Sequence, residues 1–164
     1  MGLSAVVIVL AGCGSGGHTS ASPKLSTVAG GGYRFLAPRG WRVRRIGSDV
    51  TVTSGPVDLV GVTRFRLARR YRPGLWGKAV PALDRAAGQL AMQLGGRLRA
   101  GTTVVLAGRR AREYEIDYER SGRQLVDRTA FVLDGRRELQ LLCRFEAGGD
   151  DTACRTLFSS FRLG

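Results

Sequence analysis

The sequence of 164 residues holds one histidine, His18, and only two lysines, Lys24 and Lys78. A catalytic triad with histidine as its base would have only this imidazole to use, and His18 lies in the Gly/Ser-rich segment of residues 14–32, so none is expected in the folded domain. Three cysteines, Cys13, Cys143 and Cys154, with that one histidine give no Cys/His zinc site inside a compact domain. Acidic side chains are scarce: 13 Asp+Glu stand against 26 Lys+Arg, for a formal net charge of +13. No apolar run reaches the ~20 residues that a membrane-spanning helix needs. What is present is a hydrophobic fraction of 43%, enough for a core, so wholesale disorder is excluded. The length allows one domain, or one domain with a tail.

Residues 3–11 read Leu-Ser-Ala-Val-Val-Ile-Val-Leu-Ala, the length and character of the apolar region of a secretory leader. Leu10-Ala11-Gly12-Cys13 follows and resembles the lipobox of bacterial lipoproteins. That resemblance implies cleavage before Cys13 and a diacylglycerol on its sulfur. Residues 1–12 are then a signal peptide, and the membrane is a partner through the lipid. The alternative is a plain secreted protein with a chance cysteine at the cleavage site. Met1-Gly2-Leu3-Ser4 carries no Lys or Arg, where a leader normally has positive charge, and this favours a start further upstream. Residues 14–32 are rich in Gly, Ser, Thr and Ala, a composition that predicts a flexible tether. His18 lies in it as a solvated side chain. Gly30-Gly31-Gly32 lacks the Lys-Ser/Thr and the preceding strand of a phosphate loop.

A single folded domain is expected over residues 33–164. Alternation of apolar and polar residues predicts strands at 33–36, 41–46, 50–53 and 57–67. Over 80–94 the period changes. Leu83, Ala86, Ala87, Leu90, Ala91 and Leu94 form the buried stripe of one long helix, with Pro81 in its first turn and Gly95-Gly96 ending it. Period two returns at 102–106, 111–119, 125–133 and 138–145. Tyr114, Ile116 and Tyr118 share one face of their strand, and Glu113, Glu115, Asp117 and Glu119 the other. A two-residue turn at Ser121-Gly122 pairs Glu115 with Arg128 and Tyr118 with Leu125. A three-residue turn at Asp134-Gly135-Arg136 pairs Phe131 with Leu139 and Leu125 with Phe145. Residues 150–161 predict a short C-terminal helix, with Asp150 and Asp151 at its start and Leu157, Phe158 and Phe161 on its apolar edge. The fold class is α+β: an antiparallel β-sheet with one long helix and a short C-terminal helix packed on it.

Tyr33-Arg34-Phe35-Leu36-Ala37-Pro38-Arg39-Gly40-Trp41 resembles the F-x-x-P-x-G-W opening of the PsbP-like superfamily, which includes the LpqN-type lipoproteins. Gly108-Arg109-Arg110-Ala111 is similar to that family's entry to its strand meander, and Phe158-Ser159-Ser160-Phe161 to its closing helix end. The likeness spans about residues 33–163. It implies a central antiparallel sheet with helices packed on it, and docking or assembly roles rather than a shared activity.

Export permits disulfides, and setting Cys13 aside for lipid leaves the pair Cys143 and Cys154. A bridge between them staples the last helix to the last long strand; a redox-active pair lacks the C-x-x-C spacing. The row Glu113, Glu115, Asp117 and Glu119 reads as a salt-bridged sheet face rather than as glycosidase carboxylates. Asp150-Asp151 reads as helix capping rather than a metal site. No catalytic residue, metal ligand or cofactor is assigned. The arginines Arg42, Arg44, Arg64, Arg66, Arg69, Arg70 and Arg72 are the candidate contacts for an anionic partner, either lipid headgroups or a cell-wall polymer. Nucleic acid is excluded as a partner for an exported chain, and no protein partner is legible. The expected role is a non-enzymatic docking or accessory module, lipid-anchored on the extracytoplasmic face of the cell membrane. The competing role is a carrier that holds a lipid or other apolar ligand between sheet and helix, against Tyr114, Tyr118, Trp41 or Trp76.

Overall fold

A short hairpin starts the domain, in a computed structural model that describes residues 24–164. Strand β1 (Leu25–Gly30) pairs antiparallel with β2 (Tyr33–Pro38), Leu25 opposite Pro38 and Gly30 opposite Tyr33. This corrects the tether expected to run to residue 32. The small residues of β1 alternate about Val28, which is 2% exposed, and pairing with β2 supplies the backbone bonds that composition alone does not reveal. Gly30 has a steric reason: the Tyr33 ring occupies the space that a Cβ there would need. Gly31 and Gly32 make the turn, Gly32 at φ +86°. Cys13 and His18 lie outside the described residues.

The chain continues as β3 (Arg42–Ile46), β4 (Asp49–Ser54) and β5 (Asp58–Arg66). A 3₁₀ turn at Pro73–Leu75 leads into α1 (Trp76–Leu94). Then follow β6 (Arg97–Leu98), β7 (Thr102–Leu106), β8 (Arg109–Arg120), β9 (Arg123–Asp134) and β10 (Arg137–Glu146). Helix α2 (Thr152–Ser160) and β11 (Arg162–Leu163) close the domain. The eight-stranded antiparallel sheet has the order β3-β4-β5-β10-β9-β8-β6, with β7 also on β8; β1, β2 and β11 form a second, small sheet. The α+β expectation holds.

Helix α1 starts four residues before the expected position, so Pro81 sits inside it rather than in its first turn. The Pro73–Leu75 turn nucleates the helix early, and the missing Pro81 N–H forfeits one bond, to the Gly77 carbonyl. Its end is as expected: Gly95 adopts φ 64°, and the N–H of Gly96 reaches the Ala91 carbonyl at 2.9 Å.

Both faces of the large sheet are covered. On one, Leu83, Ala87 and Ala91 of α1, with Trp76, pack on Tyr114, Ile116, Tyr118, Leu125, Phe131 and Leu133. On the other, the small sheet and α2 bury Phe35, Leu157 and Phe161 against Val60, Val62, Val132, Leu139 and Leu141. The Ser121-Gly122 hairpin has the expected register, Glu115 opposite Arg128 and Tyr118 opposite Leu125. The next hairpin does not. Asp134 remains in the ladder opposite Arg137, so the turn is Gly135-Arg136, and Phe131 faces Gln140 while Leu125 faces Glu146. Since β9 is buried on both faces, matching apolar residues across the hairpin cannot choose between registers that differ by one residue.

Candidate functional site

The expected arginines do not form one patch. In the ladder of β3 and β4, Arg42 stands opposite Thr53 and Arg44 opposite Thr51, on the side of the sheet that carries α1. Arg64 and Arg66 face the other way, opposite Leu139 and Arg137 of β10. Arg69, Arg70 and Arg72 follow on the exposed segment between β5 and the 3₁₀ turn. The structure thus brings Arg64, Arg66, Arg69, Arg70 and Arg72 to one end of the sheet and leaves Arg42 near the opposite end, beside Gly40 and Gly55.

Four further arginines, not singled out from sequence, converge on that basic end: Arg109 and Arg110 at the start of β8, and Arg136 and Arg137 at the β9–β10 turn. The signal available in sequence was their place at the two ends of predicted hairpin strands. An open cleft of about 840 Å³ is lined by Arg70, Arg72, Arg109, Arg136 and Arg137 with Asp134 as its one carboxylate. Its walls are set by the main chain. Tyr71 N–H donates to the Gly135 carbonyl at 2.7 Å and Leu67 N–H to the Arg136 carbonyl at 3.0 Å. Leu67 and Tyr71 pack against the cluster that contains Trp76 and Leu133, so the segment that bears Arg70 and Arg72 is pinned at two points.

Asp134 accepts from Arg137 and, at 3.2 Å, from Arg109 Nε. These bonds, Arg137 foremost, hold its carboxyl below the usual range. On the opposite face of the same hairpin, across from Leu133, burial pushes the Glu138 carboxyl up. All thirteen carboxylate side chains of the sequence lie within the described residues. None of them lies within ion-pair distance of Arg70, Arg72 or Arg136.

Elsewhere, charge is used inside the fold. Glu115 accepts from Arg128 at 2.7 Å and from Arg99 at 2.8 Å, and Asp117 from Arg99 at 2.9 Å. The acidic row on β8 is thus a salt-bridged sheet face. Asp150 Oδ1 accepts from the Thr152 N–H at 2.9 Å, at the start of α2. No cluster of three or more potential metal ligands occurs among the described residues. Cys143 on β10 and Cys154 on α2 are joined in a disulfide, their Cα atoms 5.4 Å apart, within the span that a bridge permits.

The aromatic residues considered for a carrier pocket are mostly packing. Trp76, Tyr114 and Tyr118 are buried under α1, and the Tyr114 hydroxyl donates to Asp84 at 2.6 Å. Trp41 is half-buried against the core on the other face. No helix among the described residues is long and apolar enough to cross a membrane.

An antiparallel sheet between one long helix and a small sheet with a C-terminal helix is the fold that this chain shares with PsbP. Cyanobacterial PsbP (CyanoP) from Synechocystis sp. PCC 6803 superposes with a TM-score of 0.64 at 16% identity, over 94% of this chain and 99% of its own. A protein of Bacteroides thetaiotaomicron superposes with a TM-score of 0.57 at 9% identity over 87% of this chain; the chain spans about half of that protein, 48%. LpqN of Mycobacterium tuberculosis, described as involved in cell envelope biogenesis, gives a TM-score of 0.48 at 14% identity over 85% of this chain and 90% of its own. No protein-family model matches the sequence, and no curated protein matches it.

Proposed function

We propose that the protein is an envelope accessory module, lipid-anchored through Cys13 on the extracytoplasmic face of the membrane, that docks an anionic partner through the basic end of its sheet and performs no catalysis. The observation that carries this reading is the convergence of Arg64, Arg66, Arg69, Arg70 and Arg72 with Arg109, Arg110, Arg136 and Arg137 at one end of a rigid sheet. A Coulombic surface of this kind attracts anions over several ångströms and weakens as salt shortens the Debye length from about 8 Å at physiological strength to about 3 Å at 1 M. The disulfide between Cys143 and Cys154 supports export, because such bridges persist in oxidising compartments. The resemblance of Leu10-Ala11-Gly12-Cys13 to a lipobox supports the anchor.

Two measurements test the reading. Cys13→Ser should move the protein from the membrane to the soluble fraction or block leader cleavage; unchanged fractionation and unchanged mass refute the anchor. Retention of the exported protein on its own wall and membrane fractions should fall as salt rises and fall again in Arg69→Gln/Arg70→Gln/Arg72→Gln. Retention indifferent to both refutes docking by charge.

A further inference from the structure

We propose that the cleft walled by Arg70, Arg72, Arg109, Arg136 and Arg137 is a binding site for the phosphate groups of a polyanionic chain. The proposal rests on the docking reading above and assigns it a place and a chemistry.

Charge comes first. Five guanidinium groups line the cleft against one carboxylate. Asp134 is already engaged by Arg109 and Arg137. Across the ladder Arg66 stands directly opposite Arg137, a like-charge pair that weakens the sheet. Along this edge Arg109, Asp134, Arg137 and Arg66 therefore form a row with one negative member. With five guanidiniums and one carboxylate in the cleft, a single carboxylate from a ligand would leave most of the positive charge unmet, whereas a run of phosphates would meet it. The planar guanidinium fork binds a phosphate oxygen pair in bidentate fashion.

Preorganisation comes next. The main-chain bonds from Tyr71 to Gly135 and from Leu67 to Arg136, at 2.7 and 3.0 Å, fix the two walls relative to each other before any ligand arrives. The backbone is then already ordered, and only the arginine side chains are left to order on binding. At about 840 Å³ and open to solvent, the cleft admits several phosphate units and lets a chain pass through.

The position of the cleft selects the source of the phosphate. The chain enters the domain at Lys24, whose carbonyl accepts from the Arg39 N–H at 2.7 Å. From there β1 runs to the turn at Gly32, whose carbonyl accepts from Arg137 at 3.3 Å. Six extended residues cover about 20 Å, so entry and cleft lie at opposite ends of the small sheet. Around Pro38 and Trp41 the entry end instead gathers Asp58, Glu146 and Asp150 with Arg144. In the lipid-anchored reading the cleft lies at the end of the small sheet remote from the tether, which favours phosphates borne on a polymer over that bilayer's headgroups.

The test is calorimetric titration of the full-length exported protein in neutral detergent at low salt, with tripolyphosphate as the polymer probe and dihexanoyl phosphatidylglycerol, below its micellar concentration, as the headgroup probe. Tripolyphosphate should bind at least tenfold more tightly than the short-chain lipid. Arg70→Gln/Arg72→Gln, and separately Arg136→Gln, should each weaken it at least tenfold, while Arg42→Gln/Arg44→Gln should leave it within twofold. These side chains are exposed, and near-ultraviolet circular dichroism confirms that each variant is folded. Equal loss in the Arg42/Arg44 variant, or no loss in the cleft variants, overturns the cleft while salt-sensitive retention on wall fractions would leave the docking reading standing. Tighter binding of the lipid overturns the polymer assignment.

Discussion

Arg144 holds Asp127 through two parallel hydrogen bonds, Nε to Oδ1 at 2.8 Å and Nη2 to Oδ2 at 2.9 Å, and Asp127 is only 1% exposed. The Tyr118 hydroxyl donates to the same Oδ1 at 3.0 Å, and the guanidinium lies 5.6 Å from the centre of the Tyr118 ring. No buried polar atom of the group lacks a partner, which is what permits a charge to be buried here.

Breaking that pair from one side should therefore be costly. Asp127→Asn leaves a largely buried guanidinium without its counter-charge, and a loss of about 3–5 kcal/mol is expected in denaturant unfolding. Asp127→Leu with Arg144→Met should recover most of it, because both desolvation penalties vanish together. A single-variant loss below about 1 kcal/mol would mean that water already reaches the pair.

The disulfide should tether α2 rather than support the whole sheet. Cys143 and Cys154 are eleven residues apart in sequence, and closing so short a loop is worth about 3 kcal/mol in the chain-entropy description. Reduction should lower the melting temperature. It should also raise hydrogen exchange in Thr152–Ser160 before exchange rises in β8–β10. Non-reducing mass spectrometry of exported protein should find the two peptides linked; two free thiols there would refute the bridge.

The two hairpins show what sequence can and cannot specify. Ser121 and Gly122 both take positive φ, 53° and 73°, the pairing that a two-residue turn demands, so local chemistry sets that register. At the next turn only Gly135 is left-handed, φ 61°, and β9 has no solvent face to anchor the alternation. The basic end was half legible. The run of arginines from Arg64 to Arg72 is visible in the sequence, but Arg109, Arg110, Arg136 and Arg137 join it only because β10 pairs with β5 and β9 with β8. Strand β1 was hidden for a related reason. Its residues bury little by themselves and gain their partners from β2.

Two carboxyls of the β9–β10 hairpin, on opposite faces of the sheet, should respond to pH in opposite senses. Asp134 has its pKa lowered by Arg137 and Arg109, so its contribution to stability is present above the unfolded value, about 3.9, and is lost as pH falls through the lower folded one. Glu138 is raised by burial, so ionising it costs more in the folded state, and stability falls as pH rises from its unfolded value through its folded one. Glu138→Gln should raise the melting temperature at pH 7 and lose that advantage below about pH 4. Asp134→Asn should lower it at pH 7 and make little difference near pH 2. The same sign for both variants at pH 7 would contradict the arrangement.

If the basic end docks an anionic partner as proposed, the pairing of Arg66 with Arg137 across β5 and β10 sets stability against docking at a single position. Both guanidiniums lie on the same face of the sheet, and Asp134 pairs with Arg137 and Arg109 but not with Arg66. Arg66→Gln removes one member of a like-charge pair and should stabilise the domain by about 0.2–1 kcal/mol. Arg66→Glu should gain as much or more at low salt, and that gain should shrink at 1 M salt, where screening silences both the repulsion and the new attraction. Retention on wall fractions should fall in both variants, more steeply in the glutamate one. A residue selected only for the fold would not be expected to trade one property for the other in this way. If Arg66→Gln destabilises the domain, the arginine is packing its aliphatic stem rather than contributing charge, and the basic end would lose its electrostatic rationale at that position.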